Sequence, residues 1–209
     1  MKLWDITPPL TPSSPIFPGD DPFSVSWRSR TDAACGANVS VIAMSPHDGA
    51  HVDAPLHLFD GALDAASLPL EPFIGPCIVI DLSAEATLHA IEPAALVSCM
   101  QRPLPPRVLF KTRRERPQQW TTAFRPLSSE LIEALLNRGV RIVGTDAPSI
   151  DPADSESLPS HRLALSSGLF ILENLDLCAV PAGMYRLIAL PLALSGAEAS
   201  PVRAVLESL

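Results

Sequence analysis

The sequence predicts a layered α/β domain in which strands outnumber helices. The chain has 209 residues, and the 47% of them that are hydrophobic can bury a sizeable core within one domain. Short apolar runs typical of strands alternate with only two or three helical patterns. The 23 prolines against 10 glycines predict stiff connections between these elements and argue against a helical bundle.

The N-terminal part is predicted to hold three strands and a proline-rich arm. A first strand covers residues 2–7, and five prolines then fix an extended arm that ends at Gly19. Polar and apolar residues alternate with a period of two over residues 23–27 and 38–44. This alternation predicts two strands of a half-buried sheet.

The rest of the chain is predicted to contain more strands. Short runs of branched apolar residues are typical of strands at the centre of a sheet, where both faces are covered. The fourth of these strands stops at a carboxylate, that of Glu173. The predicted strands are residues 76–81, 108–110, 140–144, 169–172, 186–190 and 202–206.

Start and stop signals predict helices between these strands. Proline suits the first helical position, serine caps N-termini, and glycine follows C-termini. The signals are Pro93 for a helix over residues 94–100, Ser128 or Ser129 before a helix that Gly139 ends, and Ser160 before a helix that runs to Gly168.

Charge and cysteine content exclude several classes of protein. The net charge of −8 repels phosphate backbones, so no nucleic-acid partner is expected. No apolar run is long enough to span a membrane, and no secretory signal is visible. The cysteines form no CxxC pair, which predicts reduced thiols in a cytoplasmic protein rather than a disulfide framework or a zinc ribbon. They are Cys35, Cys77, Cys99 and Cys178.

Residues 47–57 form the most informative segment. They contain His47, His51 and His57, which are three of the five histidines, together with Asp53. Imidazole and carboxylate side chains in one segment suit Zn²⁺, Mn²⁺ or Fe²⁺ better than Ca²⁺ or Mg²⁺. A polar surface turn is the alternative interpretation, and spacing alone does not exclude it.

Two backbone geometries could bring these side chains together. A helical turn places His47 and His51 on one face, although Gly49 and Pro55 disfavour a long helix. An extended segment instead points His51 and Asp53 the same way. The sequence leaves both geometries open.

Two further ligand candidates lie far downstream. His161 is near the start of a predicted helix, and Glu173 ends a buried strand, where an unpaired carboxylate is costly. An exposed histidine and a surface glutamate are the alternatives. His89 has no neighbours of the ligand type and is expected to be solvated. The chain also lacks the motifs of serine hydrolases of the α/β fold, of phosphate-binding loops and of HExxH metalloproteases.

The histidine–aspartate segment resembles the signature of the cyclase-like metal-dependent hydrolases. The resemblance extends along nearly the whole chain. The combination of matching segments and the length of the chain favour the bacterial kynurenine formamidase (arylformamidase) branch. Two positions depart from the family pattern: Phe17 stands where tryptophan is usual, and Ala50 where threonine is usual. The supporting segments are residues 3–6, 17–20, 144–152 and 171–177.

The resemblance implies one cyclase-like domain over residues 1–209, with a layered β/β/α, swivelling-domain-like fold and a homodimeric assembly. It implies two zinc ions per chain. His47, His51 and Asp53 would hold one ion, while Asp53, His161 and Glu173 would hold the other, with both carboxylates able to bridge. His57 would be the proton donor and acceptor, and Phe17 would contact the substrate ring.

The implied reaction is hydrolysis of N-formyl-L-kynurenine to L-kynurenine and formate by a zinc-activated hydroxide, a step of tryptophan degradation. Zinc lowers the pKa of water to about 7, and an imidazole can move the proton that the anilide nitrogen needs in order to leave. A sister hydrolase acting on a cyclic amide such as isatin is a first alternative. A non-catalytic metal- or ligand-binding protein is a second, which a missing ligand would favour, yet every candidate residue is present.

Overall fold

A computed structural model describes residues 2–31, 36–85, 87–99 and 103–209. It contains eleven strands and two α-helices within these residues. The strands are β1 (Leu3–Asp5), β2 (Ser24–Ser29), β3 (Val39–Ala43), β4 (His51–Asp53), β5 (Ile74–Asp81), β6 (Arg107–Lys111), β7 (Ile142–Thr145), β8 (Phe170–Glu173), β9 (Gly183–Ile188), β10 (Ala199–Pro201) and β11 (Val205–Ser208). The α-helices are α1 (Ser129–Leu136) and α2 (Pro159–Ser166), and short 3₁₀ helices cover Pro55–His57, Ala65–Ser67, Glu71–Phe73 and Pro93–Cys99.

Nine of the strands form one mixed sheet in the order β1-β11-β9-β5-β6-β7-β8-β4-β10. Its centre, from β5 to β8, is parallel, and its outer strands pair antiparallel. The central strands are the apolar runs that the sequence predicts, and all five residues of β6 are buried. Parallel strands covered on both faces account for this pattern.

The core has two parts, one on each face of the sheet. On β6, Val108 and Phe110 pack with helices α1 and α2, whereas Leu109 between them belongs to the other cluster. That second cluster draws on strands near both edges of the sheet, including Val52 of β4 and Leu206 of β11. The sheet therefore curls around one cluster and carries its helices on the other face, in agreement with the layered α/β expectation.

Helix α1 begins as the sequence predicts. The Ser128 side chain accepts a hydrogen bond from the Leu131 N–H at 3.1 Å and so caps the helix. Its apolar face buries Leu131, Ile132 and Leu135 in the same core cluster as Val108 and Phe110 of β6. The helix expected after Pro93 is a 3₁₀ helix, Pro93–Cys99, and Met100 lies outside the described residues.

The predicted start of α2 is wrong. The helix begins at Pro159, and the residue before it, Leu158, has a left-handed backbone with φ of 46°. Ser160 lies inside the helix, where its hydroxyl donates to the Leu127 carbonyl at 2.7 Å. Its backbone N–H is instead accepted by the Asp151 carboxylate at 3.0 Å, so an upstream aspartate takes the place of the expected cap.

Two expectations about strands also differ from the structure. Within the described ranges, strands β2 and β3 pair only with each other, so this hairpin is exposed rather than part of a half-buried sheet. The strand expected over residues 202–206 is interrupted. Val202 forms an isolated bridge with Pro191, and β11 starts only at Val205. Here the chain leaves β10, at one edge of the curled sheet, and enters β11, which lies between β1 and β9 near the opposite edge.

The described residues contain no helix with the length and hydrophobicity that a bilayer crossing requires. Cys77 is buried with a free thiol and Cys178 is a partly buried free thiol. Cys35 and the side chain of Cys99 lie outside the described residues.

Candidate metal centre

The histidine–aspartate segment adopts the extended geometry. Residues His51–Asp53 form β4, which lies between β8 and β10, so that His51 is paired with Glu173. Side chains two residues apart share one face of a strand, and Val52 points the opposite way into the core. The polar surface turn is thereby excluded, because His51 and Asp53 are buried.

A tight turn places His47 beside this strand. Gly49 has a φ of 72°, which a residue with a side chain rarely adopts, and an added Cβ would lie 2.6 Å from Leu10 Cδ2. His47 Nδ1 lies 3.2 Å from Asp53 Oδ1. His51 Nε2 lies 3.5 Å from the same oxygen. These three residues form a first group of possible metal ligands.

The second group joins residues that are 120 positions apart in the sequence. His161 comes from α2 and Glu173 from the end of β8. His161 Nε2 lies 3.5 Å from Asp53 Oδ2 and 3.2 Å from Glu173 Oε1. Asp53 thus belongs to both groups, and the ligand atoms within each group lie within 4.8 Å of one another.

Neighbouring atoms orient these side chains. His51 Nδ1–H donates to the Gly49 carbonyl at 2.9 Å, which directs its Nε2 lone pair towards Asp53 and Glu173. His161 Nδ1 bonds to Asp151 Oδ2 at 2.7 Å in the same manner. Glu173 Oε1 accepts the Ile150 N–H at 2.7 Å. A histidine held by a carboxylate or a carbonyl through its distal nitrogen is typical of metal sites.

The polar atoms left without partners fit a cation. In the described part of the chain, His51 Nε2 and both Asp53 carboxylate oxygens are buried and make no hydrogen bond. Two ligand atoms about 2.0–2.2 Å from one tetrahedral ion lie roughly 3.3–3.6 Å apart, which matches the separations of 3.2–3.5 Å seen here. Such atoms are costly to bury without a partner, and a metal ion would supply one.

The charge balance of the cluster also favours a cation. Burial raises the pKa of Asp53, but the adjacent His161, His47 and His51 outweigh it and hold this pKa well below its usual range. Burial lowers the pKa of His161, yet Glu173, Asp151 and Asp53 outweigh that and raise it well above its usual value. The buried carboxylates and histidines thus stabilise one another's charged forms, and a metal ion held by them would supply this positive charge in place of protons on the histidines.

His57 lies next to both groups without joining either. Its ring centroid is 4.6 Å from that of His47 and 6.1 Å from that of His161. Burial is the main cause that lowers the pKa of His57 below its usual value. No described carboxylate accepts a hydrogen bond from its ring, so this imidazole is available to a ligand in the adjoining space.

That space is a cavity of about 320 Å³. His57, His161 and Glu173 line it together with aromatic side chains. Phe17 lines it with 51% of its surface exposed, and its ring makes an edge-to-face contact with Trp120 at 5.1 Å between centroids.

Sequence reasoning missed several residues of this site. Asp151 and Trp120 lie in segments without regular secondary structure. Glu198 immediately precedes β10, and its Oε1 lies 3.4 Å from His47 Nε2. None of them carries a local pattern, although Asp151 lies within the segment 144–152 that resembles the family. His89 is exposed, as expected, and belongs neither to the ligand groups nor to the cavity lining.

Known proteins resemble the chain over its full length. The model of the putative cyclase family matches residues 4–152. A kynurenine formamidase of Bordetella avium is 47% identical over 214 residues, which cover 100% of this chain and 99% of that protein.

Solved structures share the fold. A predicted metal-dependent hydrolase from Bacillus stearothermophilus is 29% identical with a TM-score of 0.82, covering 98% of this chain and 97% of that one. Isatin hydrolase A from Labrenzia aggregata is 25% identical with a TM-score of 0.83, covering 98% and 93%. Together with the two ligand groups, these similarities indicate a hydrolase with a metal cofactor. The chain belongs to the cyclase family and, within it, to the bacterial kynurenine formamidases.

Proposed function

We propose that this chain hydrolyses N-formyl-L-kynurenine to L-kynurenine and formate. The observation that carries the proposal is the pair of ligand groups that share Asp53 beside a cavity lined by His57 and aromatic side chains. The similarity to kynurenine formamidases along the whole chain supports this substrate.

We propose two zinc ions per chain as the cofactor. His47, His51 and Asp53 would hold one ion, while Asp53, His161 and Glu173 would hold the other. Three histidines with two carboxylates suit zinc better than calcium or magnesium. Zinc ions bound there would lower the pKa of water to about 7 and polarise the formyl oxygen.

His57 is the group that we assign to proton transfer. The anilide nitrogen of the substrate leaves only when it is protonated, so a positioned acid is required. The ring of His57 lines the cavity and lies beside His47 and His161 without belonging to their ligand groups. In this role His57 would take a proton from the attacking water and return it to the nitrogen.

The aromatic part of the cavity is assigned to the substrate ring. Phe17 and Trp120 pack edge to face, and Phe124 lines the same space. Aromatic pairs contribute about 0.5–1.5 kcal/mol beyond simple burial. A ring held there would present its formamide to the side of the cavity that His57, His161 and Glu173 line.

A homodimer is the assembly that we propose. The β2–β3 hairpin exposes several large apolar side chains, and Ile42 leaves 61% of its surface open. The strand register puts Val25, Trp27 and Ile42 on one face of this hairpin, and exposed apolar side chains grouped in this way are typical of an interface. Light scattering coupled to size exclusion is expected to give twice the mass of one chain, and the mass of a single chain would contradict the assignment.

Hydrolysis of a cyclic amide is the alternative function. Isatin hydrolase A shares the fold with a TM-score of 0.83, and the ligand groups alone do not discriminate between these amides. The test is to compare kcat/KM for N-formyl-L-kynurenine and isatin on the same metal-loaded preparation. We expect a higher value for the formamide, measured by formate release. A higher value for isatin would overturn the proposed substrate.

A further inference from the structure

One turn presents both an aromatic ring and a carboxylate to the cavity. The Asp20 N–H donates to the Phe17 carbonyl at 3.1 Å, which closes a four-residue turn. Gly19 has a φ of 105°, a conformation that this turn requires and that residues with side chains rarely adopt. Phe17 and Asp20, at the two ends of the turn, both line the cavity.

The turn is fixed to the metal-binding segment. The Ser45 hydroxyl donates to Asp20 Oδ2 at 3.0 Å, and the Ser45 N–H donates to the Asp21 carbonyl at 2.9 Å. The His47 N–H in turn donates to Ser45 Oγ at 3.3 Å. Through these bonds the Asp20 carboxylate has a defined position relative to His47.

The charge of Asp20 is not neutralised by a neighbouring side chain. Across the described ranges, no lysine or arginine nitrogen lies within 4.0 Å of its carboxylate. No described lysine or arginine lines the cavity either. The Asp20 carboxylate can therefore pair with an ammonium group of a ligand in the cavity. No described lysine or arginine of the lining can pair with a carboxylate of that ligand.

The substrate has matching chemistry. N-formyl-L-kynurenine carries an ammonium and a carboxylate on a short chain attached to its ring. Resting on the function proposed above, we propose that Asp20 binds the ammonium group while Phe17 contacts the ring. The site would then select aryl formamides with a cationic side chain, and the α-carboxylate would not be required for binding.

Two analogues and one pair of variants test this assignment. The analogues are the aryl formamide that lacks only the amino group and the one that lacks only the carboxylate. Asp20→Asn removes the charge and keeps an oxygen that can accept from Ser45. Asp21→Asn is the matched control, because Asp21 is exposed, lies one residue further along and does not line the cavity.

We expect Asp20→Asn to raise KM for both amine-bearing substrates by roughly five- to tenfold, as for a partly exposed charge-assisted hydrogen bond. KM for the analogue without the amine should not rise, and Asp21→Asn should change none of the three values. Asp20→Glu, which keeps the charge, should restore much of the amine preference. Thermal melts of all variants check that folding is retained.

An equal rise in KM for all three substrates, or no rise, would overturn the role of Asp20 while leaving the proposed function intact. The same holds if wild-type protein fails to turn over the analogue that lacks only the carboxylate. Failure of wild-type protein to release formate from any of the three would instead overturn the proposed function, and this inference with it.

Discussion

At the residue scale, the contacts of His57 set it apart from the five candidate ligands. Asp53 and Glu173 approach His51 and His161 at 3.2–3.5 Å, whereas no described carboxylate lies within 4.0 Å of a ring nitrogen of His57, whose ring lies beside those of His47 and His161. A ligand and a proton-transfer group should therefore respond differently to mutation.

Replacing His57 with alanine is expected to spare the metal content and to lower kcat by roughly 10²–10⁴-fold, as for the loss of general acid–base catalysis. Replacing His51 or Asp53 should lower both metal content and activity. Elemental analysis beside steady-state kinetics checks this. If His57→Ala loses metal as His51→Ala does, His57 is a ligand and its assigned role is wrong.

Asp151 acts on the site through His161. Its carboxylate accepts from Nδ1 of that ring and from two N–H groups at the start of α2. Asp151→Asn should weaken metal binding about 10–100-fold, the usual effect of losing a partner of a metal-bound histidine. Competition with a chelator measures the affinity, and a thermal melt in the presence of excess metal is the control. Unchanged affinity in a folded variant would show that Asp151 only caps the helix.

The sequence predicts the residues of the site unevenly. His47, His51 and Asp53 lie within seven positions, so their chemistry is visible as a local pattern. The buried strand that Glu173 ends and the predicted helix near His161 make both residues candidates, but only the resemblance assigns them as ligands. Asp151 and Glu198 contact the histidines from segments without regular structure, and these contacts leave no periodic or compositional signal.

At the element scale, the central strands are predictable and the edges are not. Branched apolar runs mark β5 to β8 because both faces are buried there. The alternation in β2 and β3 is equally clear, yet it predicts burial that this hairpin does not have. Alternation of polar and apolar residues indicates that one face of a strand is apolar. It does not indicate whether another part of the same chain covers that face.

Close packing on β7 gives a stability test of the fold. A Cβ added to Gly144 would lie 2.4 Å from Leu109 Cδ2 and 3.0 Å from Leu175 Cδ1. Gly144→Ala should therefore cost about 1–3 kcal/mol in unfolding free energy, the typical cost of overpacking. Gly36→Ala is the matched control, because a Cβ there meets nothing within 4 Å. Equal melting temperatures for the two variants would contradict the packing described around β7.

At the scale of the whole molecule, the curled sheet assembles the site. Pairing of β4 with β8 sets His51 opposite Glu173, and α2 brings His161 to the same place. This pairing is antiparallel and joins segments over a hundred residues apart, which no local pattern encodes. The resemblance to the cyclase-like hydrolases implies which residues are the ligands. The fold shows how these residues, distant in the sequence, come to lie next to one another.

We infer that this assembled cluster binds the metal on which formamide hydrolysis depends. The most direct measurement is formate release from N-formyl-L-kynurenine by chelator-treated protein, titrated with zinc while bound metal is determined by elemental analysis. We expect no activity without metal and a plateau at two zinc ions per chain. Full activity in protein that reproducibly holds no transition metal would contradict it.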